Sequence, residues 1–259
     1  MVNPNPDRRL RIPDLGGQLA AAVWGAGAPS IVLLHDGLGS LAQWRGVPAM
    51  LAARTGRAVA AYERAGHGES TPVPTGGWPA RWHRHEAEVL ERVMAHLAMS
   101  ERIVVGHSDG ATIGFEHAML GHHQDMLVAI ASHSFLEDVA LETCRSLWAN
   151  ADRVAARLAA SHEHPRAVVE AWCKGWMSPA MADYDLRPEL GSLEHPVLIA
   201  QGELDEYATT DQAITTAAAI GPNAELHLEP GVRHLWHHDD PNGFVELVAE
   251  FVGRAASRT

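Results

Sequence analysis

The sequence predicts an α/β fold with a mainly parallel sheet of about eight strands flanked by helices. Two observations predict it: short apolar runs of strand length recur along the chain, and longer amphipathic stretches separate them. Strands that alternate with helices in this way form parallel sheets covered on both faces. The 259 residues are enough for one large domain or two small ones.

The predicted strands and helices follow from these runs. Residues 9–12 and 19–23 suit an antiparallel hairpin at the start of the chain, with Gly16 and Gly17 between them. Six further apolar runs are predicted strands, at residues 30–34, 58–62, 102–105, 127–131, 196–200 and 224–228. Apolar residues at helical spacing predict helices at residues 41–53, 82–99 and 242–255.

Residues 137–194 depart from this alternation, because they show helical spacing but no clear strand. We therefore expect a helical insertion there, between two core segments at 1–136 and 195–259. The insertion is rich in tryptophan and methionine. Such side chains either pack on the sheet as ordinary core or roof a pocket as a lid, since pocket linings are themselves mostly apolar and aromatic.

Composition excludes several classes of protein. The chain has 20 Lys and Arg residues against 32 Asp and Glu residues, a net charge of -12, which argues against nucleic-acid binding. No segment approaches the roughly 18 to 20 apolar residues of a membrane span, and the first residues lack an apolar signal region. Two cysteines, Cys144 and Cys173, cannot form a disulfide framework. We expect a cytoplasmic monomer or homodimer with a small-molecule substrate and neither nucleic acid nor membrane as a partner.

Neither a metal nor an organic cofactor is predicted. The chain has 17 histidines, but the clusters at residues 83–86, 162–164 and 234–240 lack the H-E-x-x-H spacing that directs two ligands to one ion. The G-x-G fragments at 25–27 and 66–68 lack the third glycine and the strand–helix setting of a dinucleotide site.

The most informative segment is residues 106–110, which read GHSDG. They follow a predicted strand and precede a helix-like stretch, which is the setting that the G-x-S-x-G nucleophile motif requires. Glycines two positions before and after the serine are needed because the turn leaves no room for side chains. The motif predicts that Ser108 is a nucleophile.

A serine hydroxyl needs a base, and that base needs a carboxylate to orient it. Asp205 follows the predicted strand at 196–200, and His234 follows the one at 224–228, in the chain order that this arrangement expects. Both come after the carboxyl ends of strands, where the sites of open α/β sheets form. The rival acids are Glu203 and Glu206, and the rival bases are His237 and His238.

Acyl transfer also needs hydrogen-bond donors for the oxyanion. One predicted donor is the backbone N–H of Asp109, the residue after the nucleophile, and the other is that of Gly37, in the loop after the strand at 30–34.

From about residue 19 to residue 252 the chain resembles the α/β-hydrolase superfamily. The motifs that carry the resemblance occur in order: the loop HDGLGS, the turn RAGHGES, the elbow GHSDG, the acid loop QGELDEY and the histidine loop RHLWHHDDP. The resemblance implies the triad Ser108, Asp205 and His234 and a helical lid, but it implies no particular substrate. The chain departs from the commoner elbow in having Ala111 where a further glycine is usual.

Within the superfamily the chain is similar to a functionally mixed bacterial group of small hydrolases that carries Asp36, Asp109 and His237 at the corresponding positions. Both aspartates flank the place where negative charge develops, and a carboxylate facing it would oppose catalysis. We therefore expect their side chains to point elsewhere or to share hydrogen bonds, with direct contact of either one with substrate as the open alternative. The candidate substrate-binding residues are Asp36, Leu38, Trp44, His107, Trp148, Trp172, Trp176 and His237.

These features favour a serine hydrolase that cleaves an ester or thioester of a small, apolar or aromatic acyl substrate through an acyl-enzyme on Ser108. Two alternatives stay open. The same triad could serve a carbon–carbon bond hydrolase, a lyase or a cyclase of specialised metabolism, or the fold could act as a ligand receptor without turnover.

Overall fold

A computed structural model describes residues 3–14, 17–74 and 76–257. Its sheet has eight strands, which confirms the predicted fold class. Of the turn predicted at Gly16 and Gly17, Gly16 lies outside the described residues and Gly17 begins a strand. The strands are β1 (Arg8–Asp14), β2 (Gly17–Trp24), β3 (Ile31–Leu34), β4 (Val59–Tyr62), β5 (Ile103–His107), β6 (Met126–Ile130), β7 (Val197–Gly202) and β8 (Ala224–Glu229).

The order of the strands places the ends of β3 and β5 side by side. The sheet runs β1-β2-β4-β3-β5-β6-β7-β8, and all pairs from β4 to β8 are parallel, while β1 and β2 are antiparallel to their neighbours. After β4 the chain crosses to the other side of β3, and Leu34 at the end of β3 pairs with Gly106 in β5. A crevice opens at such a reversal of strand order, and this is where ligands of open α/β sheets bind.

The described residues include ten α-helices, of which eight lie between strands and the last two follow β8. Two 3₁₀ turns, Leu41–Trp44 and Pro179–Met181, accompany them. The helices are α1 (Val47–Thr55), α2 (Trp82–His96), α3 (Asp109–Met119), α4 (Asp138–Ala149), α5 (Ala151–Leu158), α6 (Pro165–Trp176), α7 (Arg187–Leu190), α8 (Thr210–Ile220), α9 (Trp236–Asp239) and α10 (Pro241–Ala256).

The helix predicted at residues 41–53 is two elements rather than one. The 3₁₀ turn ends at Trp44, and Arg45 takes a positive φ of 49° before α1 begins at Val47. A non-glycine residue with a positive φ interrupts a right-handed helix. The apolar spacing continues across this break and therefore did not reveal it. The helix predicted at 82–99 ends earlier, at His96, and Ala98 likewise has a positive φ of 52°.

Two apolar layers cover the sheet. Successive residues of each strand point to opposite faces, so Ile31 and Leu33 join one buried cluster while Val32 and Leu34 join the other. Helices α1, α9 and α10 cover the first face. Helices α2, α3 and α8 cover the second face. Buried side chains from α4 to α7, the helices within residues 137–194, belong to the same cluster. Among the described residues no helix is long and apolar enough to cross a membrane.

The turn between β5 and α3 brings backbone atoms into close contact. Ser108 has φ 54° and ψ -120°, a strained conformation for a residue with a side chain. A Cβ on Gly106 would lie 2.4 Å from the backbone of Ala111, and one on Gly110 would lie 2.2 Å from the carbonyl oxygen of Leu34. Both positions therefore require glycine. The atoms that a Cβ would meet belong to the backbone, so no change of side-chain rotamer could make room for it.

We predict that Gly110→Ala lowers the free energy of unfolding by about 2 kcal/mol or more, because the new methyl group must displace the end of β3. Gly253→Ala in α10 is the matched control, since a Cβ there meets nothing within 4 Å and alanine favours a helix. Urea unfolding of both variants measures the difference. Equal stability of Gly110→Ala and Gly253→Ala would contradict this account of the turn.

Candidate active site

A cavity of about 280 Å³ lies at the carboxyl ends of β3, β5, β7 and β8. Of the residues predicted from the sequence, Ser108, His234, Gly37, Asp36, Leu38 and Trp172 line it. The remaining lining residues are Gln43, Leu147, Val154, Arg157, Leu158, Glu206, Tyr207 and Leu235. Five of the lining residues come from α4, α5 and α6, so the helices between β6 and β7 form part of the wall: Leu147, Val154, Arg157, Leu158 and Trp172.

His234 and Asp205 form a buried pair beside this cavity. His234 Nδ1 lies 3.0 Å and 2.9 Å from the two carboxylate oxygens of Asp205, and the side chains are 6% and 1% exposed. Since a carboxylate only accepts, Nδ1 carries the proton and donates it, which leaves Nε2 as the basic nitrogen. The backbone N–H of Tyr207 donates to Asp205 Oδ1 over 2.8 Å and holds the carboxylate in place.

The pair shifts both pKa values in the direction that a general base needs. Burial alone would lower the pKa of His234, but the charge of Asp205 and the hydrogen bond to it outweigh burial, so the pKa lies above the usual value for histidine. Burial alone would raise the pKa of Asp205, but His234 and the N–H of Tyr207 hold it below its usual range. Asp205 therefore stays ionised and stabilises positive charge on the ring.

The structure separates this pair from its rivals. Glu203 is exposed, and Glu206 accepts from the backbone N–H of His234 over 3.1 Å rather than from its ring. His238 Nε2 donates to the carbonyl oxygen of Gln43 over 2.7 Å. His237 is buried against aromatic rings.

Ser108 and Gly37 line the same cavity as His234, and Asp109 follows Ser108 directly in the chain. The Ser108 hydroxyl has no hydrogen-bond partner among the described residues, so its relation to His234 rests on the cavity that both side chains line. The amide N–H groups of Gly37 and of Asp109, the first residue of α3, likewise have no acceptor in the described part of the chain. The site thus brings together a hydroxyl, a base and two free donors, which are the parts that acyl transfer requires.

Side chains behind the loop after β3 orient its peptide groups. The carbonyl oxygen of Asp36 accepts from His35 Nδ1 over 2.7 Å and from Arg64 Nη2 over 2.8 Å. Because a trans peptide points its N–H away from its carbonyl, these bonds direct the N–H of Gly37 away from His35 and Arg64. His67 Nε2 donates to the next carbonyl, that of Gly37, over 3.0 Å. The sequence analysis assigned no role to these three side chains, although His35 lies in the loop motif and Arg64 and His67 lie in the turn motif that it quoted.

The carboxylate of Asp109 is buried, and Asp109 does not line the cavity. Trp172 Nε1 donates to Oδ2 over 2.7 Å, and Trp176 Nε1 and His83 Nε2 donate to Oδ1 over 3.1 Å and 3.3 Å. Burial alone would raise the pKa of Asp109, but the hydrogen bond and charge of His83 hold it below its usual value. The first turn of α3 also favours a negative charge. An ionised carboxylate thus ties two indoles of α6 to the residue after Ser108.

Asp36 keeps its carboxylate at the cavity wall. Its Oδ1 accepts from the backbone N–H of Leu38 over 2.9 Å, and Oδ2 lies 3.6 Å from His107 Nδ1. Burial alone would raise the pKa of Asp36, but His107 and these contacts hold it far below its usual range. Asp36 is therefore ionised at neutral pH, and its carboxylate contacts the N–H of Leu38 and the ring of His107.

Three of the predicted substrate-binding residues lie on the far side of this wall. Trp44 and His237 are 1% and 2% exposed and pack against each other and against Phe244 of α10, where they fill the apolar layer instead of the cavity. His107 is buried in β5, and its Nε2 donates to the carbonyl oxygen of His234 over 2.8 Å. It positions the histidine loop without lining the cavity.

Two tryptophans of the insertion also lie outside the lining. Trp176 turns its indole N–H toward Asp109, as described above. Trp148 of α4 is half-buried, and the cationic groups of Arg166 and Lys174 from α6 lie 4.7 Å and 5.4 Å from the centre of its ring. The sequence analysis predicted that all three tryptophans of this region bind substrate. In the structure only Trp172 lines the cavity, because the three side chains point in different directions.

The sequence analysis missed Tyr207 and the insertion residues other than tryptophan. The ring of Tyr207 lies 4.4 Å from that of His234, and a signal was present, because Tyr207 is two residues after Asp205 in the same loop. No comparable signal marked Val154, Arg157 or Leu158, whose approach to the cavity depends on how α5 packs.

One group of possible metal ligands lies between α2 and α3, outside the cavity lining. Glu91, His117 and His122 place one ligand atom each within 4.8 Å of one another, and no other such group occurs among the described residues. Glu91 already accepts from Arg102 Nη1 over 2.9 Å and 3.0 Å, which competes with a cation. The sequence analysis considered local histidine clusters only, and this group joins two helices.

A family model for the α/β hydrolase fold matches residues 29–162, about half of the chain. The chain therefore belongs to the α/β-hydrolase fold family. A search of curated protein sequences gives no match.

Solved structures show the same fold over nearly the whole chain. A bromoperoxidase from Bacillus anthracis has a TM-score of 0.75 at 19% identity, covering 91% of this chain and 95% of its own. An enol-lactonase from Burkholderia xenovorans has a TM-score of 0.70 at 19% identity, covering 92% and 98%. A thermophilic esterase from Thermogutta terrifontis has a TM-score of 0.70 at 19% identity, covering 96% and 99%. At these identities the likeness concerns the fold alone.

We predict that Asp109→Asn lowers the free energy of unfolding by about 2 kcal/mol, because an amide cannot accept from both indoles and from His83 at once. Hydrogen exchange should rise in α6 more than in α10. Asp138→Asn in α4 is the matched control, since Asp138 is exposed, and we expect a change below about 0.5 kcal/mol. Unaltered protection of α6 in Asp109→Asn would show that the carboxylate does not hold this helix.

Proposed function

We propose that the protein is a serine hydrolase that cleaves an ester or thioester of a small, apolar or aromatic acyl substrate through an acyl-enzyme on Ser108. The observation that carries the proposal is the buried pair of His234 and Asp205, whose basic nitrogen shares one cavity with Ser108. A receptor that only binds a ligand has no need for this pair, since burying an ionised carboxylate is costly.

In the first step the Ser108 hydroxyl attacks the carbonyl carbon and His234 Nε2 takes its proton. The ring becomes positively charged, and Asp205 stabilises that charge without accepting the proton. The amides of Gly37 and Asp109 would donate to the oxyanion. The protonated His234 then gives its proton to the departing oxygen or sulfur, and a water activated by the same ring cleaves the acyl-enzyme.

The cavity supports a small acyl group. Its volume of about 280 Å³ lies at the low end of ligand pockets, and its walls include Leu38, Leu147, Val154, Leu158 and Trp172. Two structural neighbours, an esterase and an enol-lactonase, agree by name with ester cleavage on this fold. Those activities belong to the neighbours. They support the proposed reaction class only because the fold is shared.

We expect a small fluorophosphonate to add once to the wild-type protein, as seen by intact-mass spectrometry, and to add neither to Ser108→Ala nor, at a comparable rate, to His234→Ala. Hydrolysis of a short chromogenic acyl ester should be lost in both variants, because the hydroxyl is a weak nucleophile without its base.

The Ser161→Ala variant is the matched control for loss of a hydroxyl, because Ser161 lies outside the cavity lining. It should keep both the adduct and turnover. If the wild-type protein gives neither an adduct nor turnover, the hydrolase proposal fails and the receptor alternative gains weight.

The pH dependence tests the pair directly. As the pH falls through the pKa of His234, the ring gains a proton and loses its function as a base, so kcat/KM should fall with a midpoint above about 6.5, the usual value for histidine. Asp205→Asn should lower kcat by about 10³-fold or more and move the midpoint of its residual activity to lower pH, because the charge that raises the pKa is gone.

Glu203→Gln removes the exposed rival acid of the same loop and should leave both the rate and the midpoint in place. A larger loss of activity in Glu203→Gln than in Asp205→Asn would mean that Glu203, and not Asp205, orients His234.

A further inference from the structure

Three charged side chains line the cavity, and two of them are engaged by the protein. Asp36 accepts from the N–H of Leu38 and lies beside His107, and Glu206 accepts from the N–H of His234. The third is Arg157, in the last turn of α5. Its guanidinium has no hydrogen bond, ion pair or ring contact among the described residues.

The position of Arg157 on α5 directs it toward the cavity. Val154, Arg157 and Leu158 are three and four residues apart, so they share one side of the helix, and all three line the cavity. Arg166 of α6, in contrast, is paired with Asp152 at 2.9 Å and lies outside the lining. Arg157 is thus the cavity's unpaired cation, at the end of an otherwise apolar wall formed by α4 and α5.

A guanidinium in this setting recognises a carboxylate. Its planar fork donates two parallel hydrogen bonds to the two oxygens, and these charge-assisted bonds are stronger than neutral ones. The negative charges of Asp36 and Glu206 would repel an anion at their own parts of the wall. One orientation is therefore favoured, in which the anionic end of a substrate meets Arg157 and the rest of the chain occupies the apolar cavity.

We propose that Arg157 binds a carboxylate of the substrate, so that the preferred substrates are short esters, thioesters or lactones whose acyl chain ends in a carboxylate. This inference rests on the proposed function. The bonds that form and break are those of ordinary acyl transfer, and Arg157 acts as a specificity-determining residue that makes no covalent change.

The test compares two chromogenic esters of similar length. One is 4-nitrophenyl hydrogen glutarate, whose acyl chain ends in a carboxylate, and the other is 4-nitrophenyl methyl glutarate, in which that carboxylate is a neutral methyl ester. We expect the wild-type kcat/KM to be about tenfold higher or more for the anionic ester, a preference that weakens as the salt concentration rises. In Arg157→Gln this ratio should fall at least about tenfold, mainly through KM.

Arg153→Gln is the matched control. Arg153 lies on the same helix one turn earlier and, like Arg157, is exposed, but it does not line the cavity, so its loss removes the same charge from α5. The ratio between the two esters should stay at the wild-type value in this variant. An equal fall in both variants would mean that the general charge of the helix attracts the anion, and the assignment to Arg157 would be wrong.

The outcomes separate this inference from the proposed function. If both esters turn over at similar rates in wild type and in Arg157→Gln, the hydrolase proposal stands and the carboxylate subsite is overturned, which leaves Arg157 as a cation favoured by the end of α5 alone. If neither ester turns over, the hydrolase proposal fails for this substrate class. Calorimetric binding of glutarate then decides the subsite: weaker binding to Arg157→Gln than to Arg153→Gln supports it, and equal binding to both variants overturns it.

Discussion

The backbone contact between the β5–α3 turn and the end of β3 is the constraint on which the site depends. Gly110 approaches the carbonyl of Leu34, and Gly106 approaches the backbone of Ala111, so neither position accepts a Cβ. This closeness forces Ser108 into its positive φ and points its side chain into the crevice between β3 and β5. It also sets the amide of Asp109 beside the loop that carries Gly37. Displacing α3 from the strand would therefore disturb the candidate nucleophile and both candidate donors together.

A buried charge links this turn to the helices between β6 and β7. The carboxylate of Asp109 is removed from water, which would be costly without partners, and two indole N–H groups of α6 and His83 of α2 supply them. The carboxylate lies close to Gly37, but its oxygens are engaged by these three donors. The protein thus has an acidic residue next to the candidate nucleophile, and the charge of that residue holds one wall of the cavity.

Much of this architecture could be predicted from the sequence because it depends on local patterns. Apolar runs of strand length located all eight strands, and the G-x-S-x-G spacing located the turn that Ser108 occupies. Asp205 and His234 could be singled out because parallel strands bring their carboxyl ends to one edge of the sheet. The break at Arg45 could not be seen, since apolar spacing continues across it.

The side from which each side chain approaches the cavity was not predictable in the same way. Trp172 and Trp176 share helical spacing, yet only Trp172 lines the cavity, while Trp148 stacks with cations on the other side of α4. Arg157 carries no motif, and its place at the wall follows from the packing of α5.

By itself the sequence determined the fold class, the order of the strands along the chain and the loops that carry the serine, the acid and the histidine, because hydrophobic periodicity and glycine spacing act over a few residues. Only the tertiary structure decided which residues of those loops and of the insertion face one another. That choice depends on contacts between segments far apart in the chain, such as those of Asp109 with Trp172 and Trp176. No short stretch of sequence records such contacts.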